Sequence, residues 1–313
     1  MREFLIQKNE AGQRFDKYLK KLLWNAPDSF IYKMLRKKNI VLNDKKAGGA
    51  EKLQLHDNVK LYLAEETFLK FSASKETAGV PEIDLGELPF GVLYEDEEIL
   101  VINKPAGMLS QKAKQEDISA NEYILSYLLA EGAVTAGELK TFRPSICNRL
   151  DRNTSGILIA GKTLAGLQKM AEELKSRDTQ KYYRCIVEGT LTAPERIEGY
   201  LRKDWGANKV FISTQRESSE DKWIETEYMP IRAFTNATLL EVHLITGRTH
   251  QIRAHLASIG HPVAGDVKYG ASKRSGIWRP LLHAFRIRLR NGTEIVAPLP
   301  EDFLKAAAEF EEE

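Results

Sequence analysis

The chain has 313 residues, 42% of them hydrophobic and 29% charged, which suits about two globular domains with ordinary cores and excludes a chain disordered throughout. No apolar run approaches the ~18 residues of a membrane helix, and Met1 to Lys8 lack the apolar stretch of a secretory leader; a cytoplasmic protein with no membrane association is expected. The net charge of +2 hides an asymmetry: residues 1–63 carry 14 Lys or Arg against 7 Asp or Glu, a net of +7, so the remaining 250 stand at −5.

Arg14 to Leu23 places Phe15, Tyr18, Leu19, Leu22 and Leu23 at helical spacing. Asp28 and Ser29 can cap a second helix that turns Ile31, Met34 and Leu35 inward. Its other face offers Lys33, Arg36, Lys37 and Lys38, a local positive charge of the kind that attracts a polyanion. Short strands at 40–42 and 59–63 follow, so residues 1–63 read as a small α/β module. Residues 64–88, with Ser72 to Gly79 and Pro81, make poor core and read as a linker.

From residue 89 to 313 the chain reads as a second domain. Val92–Tyr94 and Ile99–Ile102 flank an acidic turn as a hairpin, ended by Lys104-Pro105-Ala106-Gly107. Ile157-Leu158-Ile159 reads as a short buried strand, and Leu164, Leu167, Ala171 and Leu174 as one helix face. Tyr183, Cys185 and Val187 alternate with Tyr182, Arg184 and Ile186 in a strand, and Leu239 to Ile245 form another. A helix from about His250 ends at Gly260, and Asn291-Gly292 marks a closing hairpin. Strands with irregularly interspersed helices argue for an α+β fold built on a mixed, largely antiparallel sheet.

Three segments carry candidate chemistry. In Asn148-Arg149-Leu150-Asp151-Arg152-Asn153-Thr154-Ser155-Gly156, an Asp between two arginines leads straight into an apolar strand. Strand-end loops commonly present functional groups. Guanidinium charge favours an ionised carboxylate, which can serve as nucleophile or base. By spacing alone, a structural salt bridge or a turn cap is the better explanation of Asp151. Thr246-Gly247-Arg248-Thr249-His250-Gln251-Ile252-Arg253 joins a strand to a helix N-terminus, where free N–H groups suit an anion and Arg248 projects. In Lys181-Tyr182-Tyr183-Arg184, a strand-borne Tyr could stack on an extruded base or simply fill core. His250 and His255 stand about 140° apart around a helix and do not share a face as zinc ligands would. Two isolated cysteines, Cys147 and Cys185, fit a reducing compartment. Phosphate-cradling and dinucleotide glycine motifs and the hydrolase Gly-x-Ser-x-Gly elbow do not occur, so neither metal nor cofactor is expected.

Together these segments resemble the RluA-type pseudouridine synthases. Arg149-Leu150-Asp151 with Thr154-Ser155-Gly156, the run Thr246 to Arg253, Gly260-His261-Pro262, Gly265-Asp266, Tyr269-Gly270 and Leu282-His283-Ala284 carry the resemblance over about residues 89–300. The family's usual His before Arg-Leu-Asp is Asn148 here. The first module resembles an S4 RNA-binding domain, and the whole chain resembles members that modify large-subunit ribosomal RNA. The resemblance implies isomerisation of a flipped-out uridine to pseudouridine. It makes Asp151 the catalytic carboxylate, Arg248 its charge partner, Tyr183 the stacking platform and Arg149 the residue that fills the vacated stack. Asp151 then either attacks C1′ or removes the C2′ proton. A monomer without an obligate protein partner is expected, with RNA as its partner. The rival readings are a non-catalytic RNA-binding or ribosome-assembly protein with a synthase-like body, and a glycosidase-like hydrolase, which would want a second carboxylate.

Overall fold

The structure, a computed structural model, describes residues 1–72, 83, 88–204, 206 and 209–312. Its first part runs β1 (Arg2–Leu5), α1 (Phe15–Leu22), α2 (Asp28–Arg36), β2 (Ile40–Leu42), β3 (Lys45–Lys46), β4 (Asn58–Leu61) and α3 (Glu65–Ser72). The strands form a sheet in the order β1-β4-β2-β3. Phe15, Tyr18 and Leu19 of α1 meet Ile31 and Leu35 of α2 over Ile40 and Leu61, in a core of their own. Each such side chain contributes about 1.5–3 kcal/mol by leaving water. Helix α2 begins after Pro27, so Asp28 sits in its first turn, where a carboxylate complements the helix dipole, and does not cap it. Lys38 takes the left-handed conformation that ends α2, with φ 57°. Lys33, Arg36, Lys37 and Lys38 are all exposed.

The expected linker begins differently. Helix α3 occupies its first residues because Phe68 and Phe71 find partners in the N-terminal core. Phe68 lies 6.1 Å from Phe4 and Phe71 4.5 Å from Phe30, ring to ring. Residues 73–82 and 84–87 of that stretch lie outside the described residues. The N-terminal part touches the rest through buried polar contacts: Thr141 Oγ1 donates to Glu10 Oε1 at 2.5 Å, and Asn9 Nδ2 donates to Glu138 Oε1 at 3.0 Å.

The larger part follows as β5 (Gly91–Glu95), β6 (Ile99–Lys104), α4 (Ala120–Ala130), β7 (Ser145–Ile146), β8 (Ser155–Gly161), α5 (Leu164–Ser176), β9 (Gln180–Glu188), β10 (Glu195–Asp204), β11 (Lys209–Ser213), β12 (Lys222–Ala233), β13 (Ala237–Leu244), α6 (Gln251–Ser258), β14 (Leu282–Arg288), β15 (Glu294–Val296) and α7 (Glu301–Glu312). Among the described residues these strands form one 11-stranded sheet, ordered β11-β10-β12-β13-β9-β14-β8-β6-β5, with β15 on β14 and β7 on β8. The β14–β8 pair is parallel and the other recorded pairs are antiparallel, so the α+β reading with a mixed, largely antiparallel sheet holds.

Every residue of β8 is buried, as a central strand covered on both faces must be. Strand β9 alternates only as far as Arg184; Cys185, Ile186 and Val187 are all buried. There the second face is covered too, because Ile186 packs with Phe303 and Phe310 of α7. The centre of the sheet thus joins β8, β14, β9 and β13, and the loop that leads into β8 and the loop that leaves β13 line one cavity.

Candidate active site

The loop that carries Asp151 is held from several sides. Ser110 Oγ donates to Leu150 O at 2.8 Å and accepts from Leu150 N–H at 3.1 Å. The Thr154 N–H donates to Asp151 O at 3.1 Å. Fully buried Lys104 spends its ammonium on three carbonyls: Pro105 at 2.9 Å, Met108 at 2.8 Å and Arg152 at 3.1 Å. Burial pulls this amine down to about 7, against the raising charge of Asp151. Arg279 bridges from the Asp302 carboxylate of α7, 2.6 and 2.8 Å away, to Asn153 O at 3.3 Å. Gly156, the second residue of β8, has φ +109°, and a Cβ there would lie 2.2 Å from Ala284 O, so only glycine allows β14 to close alongside.

Asn148 serves the same scaffold. Its Oδ1 accepts from Ile159 N–H at 2.8 Å and its Nδ2 donates to Ile157 O at 3.3 Å. These groups lie between the residues of β8 that pair with β14 and those that pair with β7. The side-chain amide therefore continues a ladder that no strand covers.

The second segment is shaped by Gln251, the first residue of α6. Its Oε1 accepts from the Thr246 hydroxyl at 2.9 Å and the Arg248 N–H at 3.1 Å, while its Nε2 donates to Glu225 O and Thr226 Oγ1, both at 3.0 Å. The junction expected to offer free N–H groups to an anion thus has the Arg248 N–H already engaged.

The charge partner of Asp151 also differs from expectation. Arg253, not Arg248, donates from Nη1 to Asp151 Oδ2 at 2.9 Å. Its Nε and Nη2 grip Asp266 Oδ2 and Oδ1 at 2.6 and 2.8 Å. The reason is helical geometry. Arg253 is the third residue of α6, and helical side chains tilt toward the N-terminus, here toward the Asp151 loop. Arg248 precedes the helix and is exposed at the cavity rim. Burial disfavours the charge on Arg253, but the Asp266 hydrogen bond and the fields of both carboxylates raise its pKa.

Asp151, Arg149, Tyr183, Arg248 and Arg253 line one cavity of about 950 Å³, at the large end of ligand sites. Tyr183 is buried in its wall, and burial followed by the Asp151 charge pushes its phenol up. Lys181, on the same strand, lines the cavity as well, its amine lowered by burial and by Arg177. Arg149 is exposed at the mouth, 3.4 Å from Thr249 Oγ1. The basic cluster at 33–38 lies in the N-terminal module and does not line this cavity. Sequence reasoning named Arg248 and passed over Arg253, Asp266, His250 and Lys104. Arg253 and His250 stood in the same run, and their position relative to the start of α6, Arg253 in its first turn and His250 immediately before it, is what separates them from Arg248. Among the described residues, no group of three His, Cys, Asp or Glu side chains could hold a metal ion.

The sequence of residues 98–258 matches the family model described as RNA pseudouridylate synthase. The ribosomal large subunit pseudouridine synthase C of Haemophilus ducreyi is 33% identical over 303 residues, covering 92% of this chain and 87% of that protein. The chain belongs to the RNA pseudouridylate synthase family. The synthase C of Escherichia coli K12 is 32% identical over 316 residues, covering 95% of this synthase and 92% of the relative. Two solved human structures share the fold. The RNA pseudouridylate synthase domain containing 4 aligns with TM-score 0.59 at 21% identity, over 70% of this chain and 92% of its own. The domain containing 1 aligns with TM-score 0.54 at 22% identity, over 69% and 86%. This synthase therefore acts as an RNA pseudouridine synthase, and the matched region spans Asp151, Tyr183, Arg248 and Arg253.

Proposed function

We propose that this synthase converts uridine to pseudouridine in large-subunit ribosomal RNA, with Asp151 as the reacting carboxylate. The observation that carries the reading is the Asp151–Arg253 pair, 2.9 Å apart, in the cavity that Tyr183 also lines. The reaction breaks N1–C1′, turns the uracil and forms C5–C1′; C5 loses a proton as N1 gains one, so nothing is oxidised and no group is imported. The target uridine leaves its stack to enter the cavity, at a cost of a few kcal/mol. Arg149, exposed at the mouth, offsets part of that by filling the gap. Tyr183 stacks on the detached ring and keeps it in place, and Arg248 at the rim meets the phosphodiester backbone. Arg253 holds Asp151 in register for attack at C1′ or for removal of the C2′ proton. The neighbouring carboxylate, Asp266, is 1% exposed and committed to Arg253, which argues against a hydrolytic pair.

The N-terminal module, with helices α1 and α2 over a small sheet, acts as an S4-like RNA-binding domain through Lys33, Arg36, Lys37 and Lys38. The protein works as a monomer. Release of tritium from RNA labelled at uridine C5 tests the assignment. Asp151→Asn is expected to bind RNA and release none; release at the wild-type rate would refute it.

A further inference from the structure

His250 stands apart from the rest of its segment. It is the residue just before α6 and takes a left-handed backbone, φ 57° and ψ 12°, which non-glycine residues enter seldom. Its imidazole is mostly buried, with Nε2 3.8 Å from Asp151 Oδ2. Its Nδ1 lies 2.9 Å from the Tyr269 hydroxyl. That hydroxyl already accepts the Val210 N–H of β11 at 3.0 Å.

The hydrogen inventory orients the ring. The backbone N–H of Val210 can only donate, so the phenol oxygen is its acceptor. With one lone pair of that oxygen taken, the phenol's own hydrogen has His250 Nδ1 as its nearest acceptor among the described residues, an arrangement that favours a lone pair on Nδ1. A neutral imidazole with Nδ1 unprotonated carries its hydrogen on Nε2. The charged groups around the ring are Asp151 from the loop before β8, Arg253 from α6, and Lys268 and Asp266 near Tyr269. Burial and the cations Arg253 and Lys268 favour the neutral ring, against the pull of Asp151 and Asp266. The chain of donors thus runs Val210 N–H to Tyr269 O–H to His250 Nε2–H and ends at Asp151. Both side-chain neighbours of Asp151 fall on one oxygen: Arg253 at 2.9 Å and His250 at 3.8 Å approach Oδ2. Among the described residues Oδ1 has no recorded hydrogen bond.

We infer that His250 is a positioning residue which, as a neutral imidazole protonated on Nε2, shares with Arg253 the task of holding Asp151 Oδ2 and leaves Oδ1 as the oxygen that meets the nucleoside. The 3.8 Å separation exceeds a hydrogen bond, and catalytic hydrogen bonds in unliganded sites commonly tighten when the site fills. The inference rests on the assignment of Asp151 as the reacting carboxylate. It adds a role for Tyr269, whose hydroxyl sets the tautomer from outside the cavity and ties it to the β10–β11 hairpin.

Nitrogen NMR of the full chain labelled in histidine reads the tautomer without RNA, so it stands apart from the reaction itself. The signal that disappears in His250→Gln is expected to show Nδ1 unprotonated and Nε2 protonated near neutral pH. A protonated Nδ1, as the other tautomer or as imidazolium, would overturn the inference. Under single turnover with saturating RNA, His250→Ala is expected to slow the reaction about tenfold to a hundredfold, the worth of one hydrogen bond to a charged group. RNA affinity should not change, and His250→Gln, whose Nε2–H can replace the donor, should recover much of the rate. Tyr269→Phe leaves the tautomer unset, so its rate should fall as pH rises through the titration of His250, which burial and the cations Arg253 and Lys268 hold below the ordinary histidine range, while wild type stays level there. A wild-type rate in His250→Ala, or a Gln variant no faster than the Ala variant, would overturn the positioning role.

Discussion

Replacing Arg253 by methionine removes one cation from between two carboxylates. Asp266, 1% exposed, loses two charge-assisted hydrogen bonds of 2.6 and 2.8 Å, and Asp151 loses one of 2.9 Å. Deleting one partner of a buried pair costs about 3–5 kcal/mol, because the remaining charge is left without compensation. For a chain this size that is a fall in Tm of roughly ten degrees. Adding Asp266→Asn removes the stranded charge and should return part of the stability. It cannot restore the hydrogen bond to Asp151, so the single-turnover rate should stay depressed in the double variant. Arg253→Lys supplies one ammonium that cannot grip Asp266 with two hydrogen bonds and still reach Asp151, and should lose rate as well. Thermal unfolding and single-turnover rates on the same four proteins separate the effects. If the double variant regained both stability and rate, Arg253 would serve the fold and have no part in orienting Asp151.

Arg248→Ala should leave stability within about 0.5 kcal/mol, because its side chain is exposed. It should instead weaken RNA binding and reduce its salt dependence, both read by titration at several ionic strengths. Charge reversal at Lys33, Arg36, Lys37 and Lys38 should likewise weaken binding and flatten the salt slope, with the rate on saturating RNA unchanged; an unaltered slope would make that face ordinary solvated surface. Stability should fall in acid through His283, which is fully buried, accepts the Ser155 hydroxyl on Nδ1 at 2.8 Å and is held by burial near 4. An unfolded histidine, with pKa about 6.5, takes up its proton first, so the stabilising contribution is complete above about pH 6.5 and lost as pH falls toward 4. The full window corresponds to about 3 kcal/mol, checked by denaturant titration across it; His283→Gln should flatten the slope.

The parts of this molecule with strong local signals were legible without coordinates. Helices α1 and α2 follow from apolar spacing, β8 from its run of branched residues, and the β14–β15 turn from Asn291-Gly292. Asp151 and Tyr183 were identified in segments 32 residues apart, and the fold brings both into one cavity. Arg253 was missed because a linear motif carries no helical phase. Arg248 and Arg253 are equally present in the run, and only the start of α6 at Gln251 decides which one reaches Asp151. The first part of the expected linker differs because it was grouped with the Ser-, Gly- and Pro-containing run that follows it, whereas Phe68 and Phe71 find partners far away in β1 and α2. The strands β10 to β12 went unread because their charged faces dilute the alternation, Glu195 to Asp204 above all.

The account stands on Asp151 as the reacting group of a ribosomal RNA synthase, and one measurement tests it most directly. Pseudouridine is mapped across the large-subunit RNA of cells that lack this gene, carrying either the wild-type chain or Asp151→Asn at equal expression. The account predicts uridines at one or more sites in the deleted strain that become pseudouridine with the wild-type chain and remain uridine with Asp151→Asn. Modification restored equally by both chains, or a large-subunit map unchanged by the deletion, would contradict it.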